Sequence, residues 1–191
     1  MSVKRAALVT GASRGIGRGI ALALAEKGWN VAVNYHSNAA AANDLVSEIT
    51  ARGAEAFAVQ ADVATLDDHA RLLDAVTGAF GRLDVLVNNA GIGPRVRADL
   101  LEMSVESYDE VMGVNLRGPF FAMQAAVQDM VDRGAPGTIV NIISSSELGG
   151  QPYLAPYVAA KAGLAGLTRN VAHAHRFDRI RINGLDIGWT D

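Results

Sequence analysis

The chain has 191 residues, of which 50% are hydrophobic and 19% charged, and its formal net charge at pH 7 is −3. This length predicts one domain with a buried core, and the composition excludes an intrinsically disordered chain. The sequence has no cysteine, which excludes disulfides and cysteine-ligated zinc. Its basic residues are scattered, so we expect no nucleic-acid partner. No apolar run approaches the roughly 20 residues that span a bilayer, and no secretory segment is evident, so we expect a cytoplasmic protein without a membrane partner.

Short apolar runs alternate with longer amphipathic stretches along the chain. The runs are almost wholly apolar, which is typical of strands buried on both faces of a parallel sheet. Six such strands with intervening helices predict a doubly wound parallel α/β sheet, a Rossmann fold, with right-handed crossovers. In chain order, we predict strands at 6–9, 30–33, 54–59, 83–87, 138–143 and 180–185, and helices at about 15–27, 39–52, 66–80, from 107 onwards, and 156–174.

Two local signals fall in the helix after the fourth strand. Ser107, with Glu110 three residues later, predicts a capping box at the start of this helix. Pro119 has no amide hydrogen, so it should free the backbone carbonyl of Asn115 and kink the helix. That carbonyl would hold a water for proton relay if it faces the ligand crevice; the alternative is a kink that only shapes packing.

A glycine-rich loop joins the first strand to the first helix. Gly11 permits a tight turn, Gly15 lets a diphosphate approach the backbone, and Gly17 allows the helix to pack closely on the strand. The amides at the helix N-terminus attract an anion. The alternative interpretation is a set of glycines that serve turns and packing only. The predicted cofactor-binding residues of this loop are Gly11, Ser13, Arg14, Gly15, Ile16 and Gly17.

The end of the second strand bears on the choice of cofactor. A carboxylate there would bond the ribose 2′-hydroxyl of NAD(H) and repel the 2′-phosphate of NADP(H). Residues 34–38 contain no carboxylate, and Arg14 in the glycine loop is placed to pair with a phosphate. We therefore expect NADP(H), with NAD(H) less favoured; the alternative is that Arg14 is a solvated loop charge.

Residues after the third and fourth strands should complete the crevice, because ligands bind beyond the carboxyl ends of such strands. Asp62, followed by Val63, either accepts a hydrogen bond from an adenine amino group or caps a loop. The small residues and amides at 88–91 either let the backbone pass close to a flat ligand or form an ordinary turn. The predicted cofactor contacts here are Asp62, Val63, Asn89, Ala90 and Gly91.

Tyr157 and Lys161 are the residues best suited to proton transfer. They lie four positions apart, so a helix places them on one face. A phenol titrates near pH 10, and an ammonium within about 4–6 Å favours the phenolate and makes it more acidic. The pair therefore either exchanges a proton with a substrate oxygen or is an ordinary packing pair. Ser144 ends the fifth apolar run and would orient a carbonyl, although three consecutive serines leave the choice open.

The histidines have no argued place beside these groups. We interpret all four as surface or loop residues: His36, His69, His173 and His175.

This constellation resembles the short-chain dehydrogenase/reductase family, and most of all its 3-oxoacyl-[acyl-carrier-protein] reductase-type members. The motifs are Thr10-Gly-x-x-x-Gly-x-Gly17, Asn88-Asn-Ala-Gly91, Asn115, Ser144 and Tyr157-x-x-x-Lys161. The resemblance implies a single dinucleotide-binding domain over residues 1–191. It also implies NADP(H)-dependent hydride transfer between nicotinamide and a ketone or secondary alcohol, 3-oxoacyl thioesters included.

The resemblance assigns a role to each catalytic position. Tyr157 would protonate the developing alkoxide, and Lys161 would acidify Tyr157 and hold the nicotinamide ribose. Ser144, which matches the family spacing better than Ser145, would polarise the carbonyl, and Asn115 would hold the relay water. Gly188 and Thr190 would complete the cofactor site, and no metal is implied. The family usually forms homodimers or homotetramers, here expected through the helices around 107–131 and 156–174.

The sequence departs from the family near its C-terminal end. Ile187 stands where the family usually has proline, and Glu147 where many relatives have glycine. The sequence stops at Asp191, before the family's lid and last strand, so we expect a C-terminally incomplete domain. The alternative function is therefore a truncated or degenerate relative that binds nucleotide without turnover, in a regulatory or interaction role.

Overall fold

A single six-stranded parallel sheet organises residues 4–188, which are the residues that the structure, a computed structural model, describes. The spatial order of the strands is β3-β2-β1-β4-β5-β6, and every neighbouring pair is parallel. The strands are β1 Ala6–Val9, β2 Asn30–Tyr35, β3 Ala56–Gln60, β4 Val85–Asn88, β5 Gly137–Ser144 and β6 Ile180–Ile187. The predicted doubly wound fold is therefore confirmed.

Helices follow the strands in the predicted alternation. They are α1 Gly15–Glu26, α2 Ala39–Ala51, α3 Leu66–Phe80, α4 Val105–Met112, α5 Gly118–Asp132, α6 Ser146–Gly149 and α7 Ala155–Ala174. None of the helices within residues 4–188 is long and apolar enough to cross a membrane.

The sheet is buried on both faces, which explains its apolar strands. Ala7 and Val9 of β1 belong to a hydrophobic cluster with Leu45 of α2, whereas Leu8 belongs to a second cluster with Met123 of α5 and Leu164 of α7. Successive strand residues point to opposite faces, so both sets must be apolar.

The start of α4 differs from the prediction. The helix begins at Val105, and its N-cap is Ser104, whose hydroxyl accepts a hydrogen bond from the Ser107 amide at 3.2 Å. Ser107 therefore lies inside the first turns, and the predicted capping box of Ser107 with Glu110 is wrong. Both serines suit a cap by residue type, and the hydrogen bond from the helix backbone selects the earlier one.

A π-helical turn, Gly113–Arg117, lies between α4 and α5, just before Pro119, where the sequence predicts a kink. The Gly118 amide donates to the Gly113 carbonyl, five residues earlier. Such single turns accommodate a local mismatch in the helix ladder and are frequent at functional sites. Asn115 lies at the centre of this turn.

His69 is buried, which corrects its interpretation as a surface or loop residue. It is only 6% exposed, and neither ring nitrogen has a hydrogen-bond partner among the described residues. It shares one face of α3 with Leu72 and Val76, which are also buried. Burial lowers the pKa of His69 below its usual value, although the nearby Val63 backbone and, to a smaller extent, Asp68 and Asp62 oppose the shift.

We expect His69→Leu to raise the free energy of unfolding by about 1–2 kcal/mol at pH 7, because it removes two unsatisfied buried nitrogens. The wild-type protein should lose stability as pH falls below about 6.5. In that range His69 binds a proton in the unfolded chain but stays neutral in the folded protein. Urea unfolding between pH 5 and 8 measures both effects. Exposed His173→Leu is the control, and an equal acid slope in wild type and His69→Leu would contradict the assignment.

Candidate functional site

The strand order reverses between β1 and β4, and the loops after these strands border a crevice. Two adjoining cavities, of about 480 and 490 Å³, occupy it and share Ile16, Asn89, Gly91 and Ile92 in their walls. We call the first the nucleotide cavity, because the glycine loop lines it. We call the second the reaction cavity, because Ser144, Tyr157 and Lys161 line it.

Backbone geometry in the glycine loop requires glycine. Gly11 and Gly15 have φ of +61° and +55°, which is the left-handed region that glycine adopts without strain. A Cβ on Gly17 would lie 2.4 Å from Asn89 Nδ2 and 2.7 Å from the Gly11 carbonyl oxygen. A Cβ on Gly15 would meet nothing within 4 Å, so the space above this residue is open to a ligand. The loop therefore fits a dinucleotide diphosphate.

Thr10 and Asn89 tie the glycine loop to the loop after β4. The Thr10 hydroxyl oxygen accepts hydrogen bonds from the amides of Asn89 and Ala90, each at 3.0 Å. The Asn89 side chain donates to the carbonyls of Thr10 at 2.8 Å and Gly11 at 3.2 Å. Asn89 lines both cavities as predicted, but its side-chain amide group is committed to shaping the loop.

Asn34, at the end of β2, is a site residue that the sequence analysis missed. Its Oδ1 accepts from the Gly11 amide at 3.1 Å, and its Nδ2 donates to the carbonyls of Val59 at 3.3 Å and Ala61 at 3.1 Å. It is only 1% exposed. The available signal was a polar amide at the end of an otherwise apolar strand, where burial demands hydrogen-bond partners.

Asp62 and Arg14 lie on the wall of the nucleotide cavity, together with Val63. Asp62 Oδ1 accepts from the Ala64 amide at 2.9 Å, so the carboxylate closes a turn while it also faces the cavity. The two interpretations of Asp62 are therefore compatible. Arg14 is the exposed residue immediately before α1, so its guanidinium is accessible to an anion at the helix N-terminus.

The reaction cavity brings together Ser144, Tyr157 and Lys161. The ammonium of Lys161 lies 5.6 Å from the centre of the Tyr157 ring, as expected for residues one turn apart on α7. Ser144 reaches the same space from the end of β5, and Ser145 also lines it.

Lys161 is held in a fixed position. Its Nζ donates to the Ile142 carbonyl at 2.7 Å, and the residue is only 4% exposed. Burial lowers the pKa of Lys161 to about 8. A Cβ on Gly91 would come within 3.5 Å of this nitrogen and 2.9 Å of Asn115 Oδ1, so packing against these two side chains requires glycine at position 91.

Ser144 is oriented by Ser146. The Ser146 hydroxyl donates to Ser144 Oγ at 2.9 Å, and the Ser146 amide points at the same oxygen at 3.3 Å. Because Ser144 accepts in both contacts, its own hydroxyl hydrogen is left to donate into the cavity.

Asn115 is fully buried beside the cavity walls. Its Nδ2 donates to the carbonyls of Ile92 and Val111, both at 2.8 Å, and its Oδ1 accepts from the Ile92 amide at 3.2 Å. The side chain thus fixes the segment at Ile92, which lines both cavities. Both N–H donors of the side chain are therefore occupied, and the backbone carbonyl remains the group predicted to hold the relay water.

At the end of β6, Ile187 and Gly188 line the reaction cavity. Thr190, which was predicted to contact the cofactor, lies outside the described residues. Within residues 4–188, no cluster of three or more histidine, aspartate or glutamate side chains is arranged to hold a metal ion.

The chain is similar to known reductases and dehydrogenases over nearly its whole length. The family model for short chain dehydrogenase matches residues 5–191. The 3-oxoacyl-[acyl-carrier-protein] reductase FabG of Staphylococcus aureus is 45% identical over 190 residues, which are 99% of this chain and 76% of that protein.

Two solved structures are similar in both sequence and shape. The 3-oxoacyl-[acyl-carrier protein] reductase of Brucella melitensis in complex with NAD is 37% identical with a TM-score of 0.91, over 97% of this chain and 73% of that one. Acetoin dehydrogenase from Enterobacter cloacae is 37% identical with a TM-score of 0.90, over 96% of this chain and 72% of that one. The chain thus spans about three quarters of the length of these relatives.

Proposed function

Because the chain belongs to the short chain dehydrogenase family of oxidoreductases, we propose that it interconverts ketones and secondary alcohols with NADP(H). 3-Oxoacyl thioesters are the first substrate class that we propose, since the FabG relative is named for that activity. The observation that carries the proposal is the convergence of Ser144, Tyr157 and Lys161 on a cavity that continues into the glycine-loop cavity. Nothing in this arrangement favours the alternative of nucleotide binding without turnover.

The nucleotide cavity supplies the contacts that we propose for the cofactor. The open backbone at Gly15 and the amides at the N-terminus of α1 would receive the diphosphate. Asp62 and Val63 would border the adenine, and Asn89, Ala90 and Gly91 would pass beside the nicotinamide half. Gly188 would close the reaction end. When bound, the cofactor supplies or accepts the hydride.

In the reducing direction, Tyr157 would give its phenolic proton to the substrate oxygen as negative charge develops there. The Ser144 hydroxyl, whose lone pairs are engaged by Ser146, would donate to the same oxygen. Lys161, anchored on the Ile142 carbonyl, would present a positive charge beside the phenol and contact the nicotinamide ribose. Both residues line the reaction cavity, so we expect little reorganisation during the reaction.

We propose that Asn115 serves the return of the proton to Tyr157. Both of its side-chain N–H donors hold the carbonyls of Ile92 and Val111, and the side chain is fully buried, so the π-helical turn would offer the backbone carbonyl to a water. This water would connect Lys161 to solvent.

Turnover of a ketone panel by the purified protein tests the proposed function. The panel contains acetoacetyl thioesters, vicinal diketones such as diacetyl, and simple ketones, each with NADPH and with NADH. We expect loss of nicotinamide absorbance with at least one of them and NADPH as the better cofactor. Tight NADPH binding without turnover of any ketone would instead favour the non-catalytic alternative.

Arg14 is the residue that we propose for NADP(H) preference. Arg14→Ala should weaken NADPH binding about tenfold or more, because a charge-assisted contact to the 2′-phosphate is lost, and should change NADH binding little. Fluorescence titration with both cofactors measures the ratio. Arg18→Ala is the matched control, since Arg18 on the same helix is paired with Glu48. Equal losses for NADPH and NADH would refute the assignment; the Brucella relative, solved with NAD, makes this test necessary.

We also propose that the chain forms a homodimer or homotetramer through the helices around 107–131 and 156–174. Phe120 and Val131 of α5 are 41% and 42% exposed, and together with Val171 of α7 they line an apolar groove. Covering this groove with a second copy would remove exposed apolar surface from water.

A further inference from the structure

The reaction cavity carries one accessible charge that the proposed reaction does not use. Arg97, in the loop between β4 and α4, lines the cavity together with Ser144 and Tyr157, and its side chain is exposed. The wall of the reaction cavity includes no aspartate or glutamate from the described residues. Among residues 4–188, Lys161 is the other charged residue of this wall, and it is 4% exposed and donates to the Ile142 carbonyl. Arg97 is therefore the cation that a substrate can reach.

We propose that Arg97 binds a carboxylate of the substrate, so that the site takes oxo acids in preference to neutral ketones of the same size. A guanidinium presents a planar fork of donors that matches a carboxylate in a two-point contact. An anion held by Arg97 meets no opposing carboxylate from the described cavity wall, so this field favours acidic substrates. This inference rests on the proposed ketone reduction at the same site, and it ranks oxo acids above 3-oxoacyl thioesters, whose acyl end carries no carboxylate.

Arg95, on the same loop, is paired with a carboxylate, whereas among the described residues Arg97 is not. Arg95 grips Glu110 with Nε at 3.0 and 2.9 Å from the two carboxylate oxygens and Nη2 at 2.6 Å from Oε1. It lines a separate groove beside α4. Among residues 4–188, no carboxylate lies within ion-pair distance of Arg97. The loop thus neutralises one arginine and leaves the other facing the cavity.

The rest of the wall suits a short hydrocarbon between the ketone and the acid. Ile92, Pro94, Leu154 and Ile187 contribute apolar surface to the same cavity. Its volume of about 490 Å³ lies in the range of small-molecule sites. A substrate with its ketone at Tyr157 and its carboxylate at Arg97 would therefore be held at both ends.

The test compares oxo acids with their methyl esters, which keep the ketone and remove the charge. The pairs are 3-oxobutanoate, 4-oxopentanoate and 5-oxohexanoate with the corresponding esters, each reduced with NADPH. We expect kcat/KM to favour the acid about tenfold or more at the chain length that fits. Arg97→Gln should abolish that preference, mainly through KM, and leave the esters within about twofold. Arg95→Gln, the matched control on the same loop, should keep the preference.

Each outcome decides a separate point. If the esters are reduced but the acids have no advantage in the wild type, or Arg97→Gln and Arg95→Gln behave alike, this inference is overturned and the proposed function stands. If no ketone is reduced, the proposed function fails. Calorimetric titration of the acids into the protein saturated with NADP⁺ then decides the anion site. Binding that disappears in Arg97→Gln and weakens with added salt supports it, and no binding overturns it.

Discussion

Replacing Tyr157 with phenylalanine should lower kcat/KM for ketone reduction by about 10²–10⁴-fold, which is the contribution of a positioned general acid. The substitution removes a single oxygen. Tyr157 is half-buried at the reaction cavity, and its ring lies 5.6 Å from the Lys161 ammonium. Phenylalanine keeps the ring and its packing, so the fold and the affinity for NADPH should change little.

Steady-state kinetics with the best ketone of the panel measures this loss, and NADPH fluorescence titration checks that the cofactor site is intact. Tyr153→Phe provides the matched control, because Tyr153 precedes the same helix and is 54% exposed. We expect it to keep wild-type rates. A Tyr157→Phe variant that retains more than about a tenth of the activity would show that another group supplies the proton.

Replacing Lys161 with methionine should separate activity from stability. Activity should fall by about 10²-fold or more, because the phenol loses its neighbouring positive charge and the cofactor loses a contact. At neutral pH the free energy of unfolding should rise, because the substitution removes a charged ammonium that is only 4% exposed and therefore unfavourable in the folded state. Part of this gain is offset, since the Ile142 carbonyl loses its partner.

The pH dependence gives the sharper measurement. Burial lowers the pKa of Lys161 to about 8 in the folded protein, whereas in the unfolded chain a lysine titrates near 10.4. Between these values the unfolded chain binds more protons, so wild-type stability should rise with pH from about 8 to about 10.4, by at most about 3 kcal/mol. Lys161→Met should lack this rise. Denaturant unfolding at pH 7, 8, 9 and 10 measures it, and parallel curves for both proteins would contradict a buried ammonium.

The order of helices and strands was predictable because strands that are buried on both sheet faces consist of uninterrupted apolar residues. Every residue of β1, from Ala6 to Val9, is buried, so an uninterrupted apolar run was the correct signal. The start of α4 was not predictable, since Ser104 and Ser107 both suit a cap and only the final chain path chooses between them. His69 shares the spacing of Leu72 and Val76, so helix periodicity predicts its burial, and the interpretation as a surface or loop residue is wrong.

The residue types of the candidate site were predictable from the sequence, but the hydrogen bonds that hold them in position were much less so. Tyr157 and Lys161 are one turn apart on a helix, so local spacing alone brings them together. The anchors of the site are long-range: Asn34 contacts Gly11 across 23 residues, and Lys161 contacts Ile142 across 19. Such hydrogen bonds depend on which strands become neighbours, and local sequence patterns do not encode that choice. The position of Arg97 on the cavity wall was not predictable either, because it depends on how the loops and strands around the cavity assemble.

The bracing of the glycine loop by Asn34 has a practical consequence for protein engineering. Asn34 supports the loop from behind, through Gly11 and Ala61, and is 1% exposed, whereas residues 36–38 stand in front of it and are exposed to the nucleotide cavity. The exposed wall after β2 is therefore separate from the hydrogen bonds of Asn34 that hold Gly11, whereas Arg14 belongs to the glycine loop itself. We expect substitutions at His36 and Ser37 to change the wall of the nucleotide cavity while the Asn34 hydrogen bonds to the loop remain, whereas Asn38 should be kept because it caps α2.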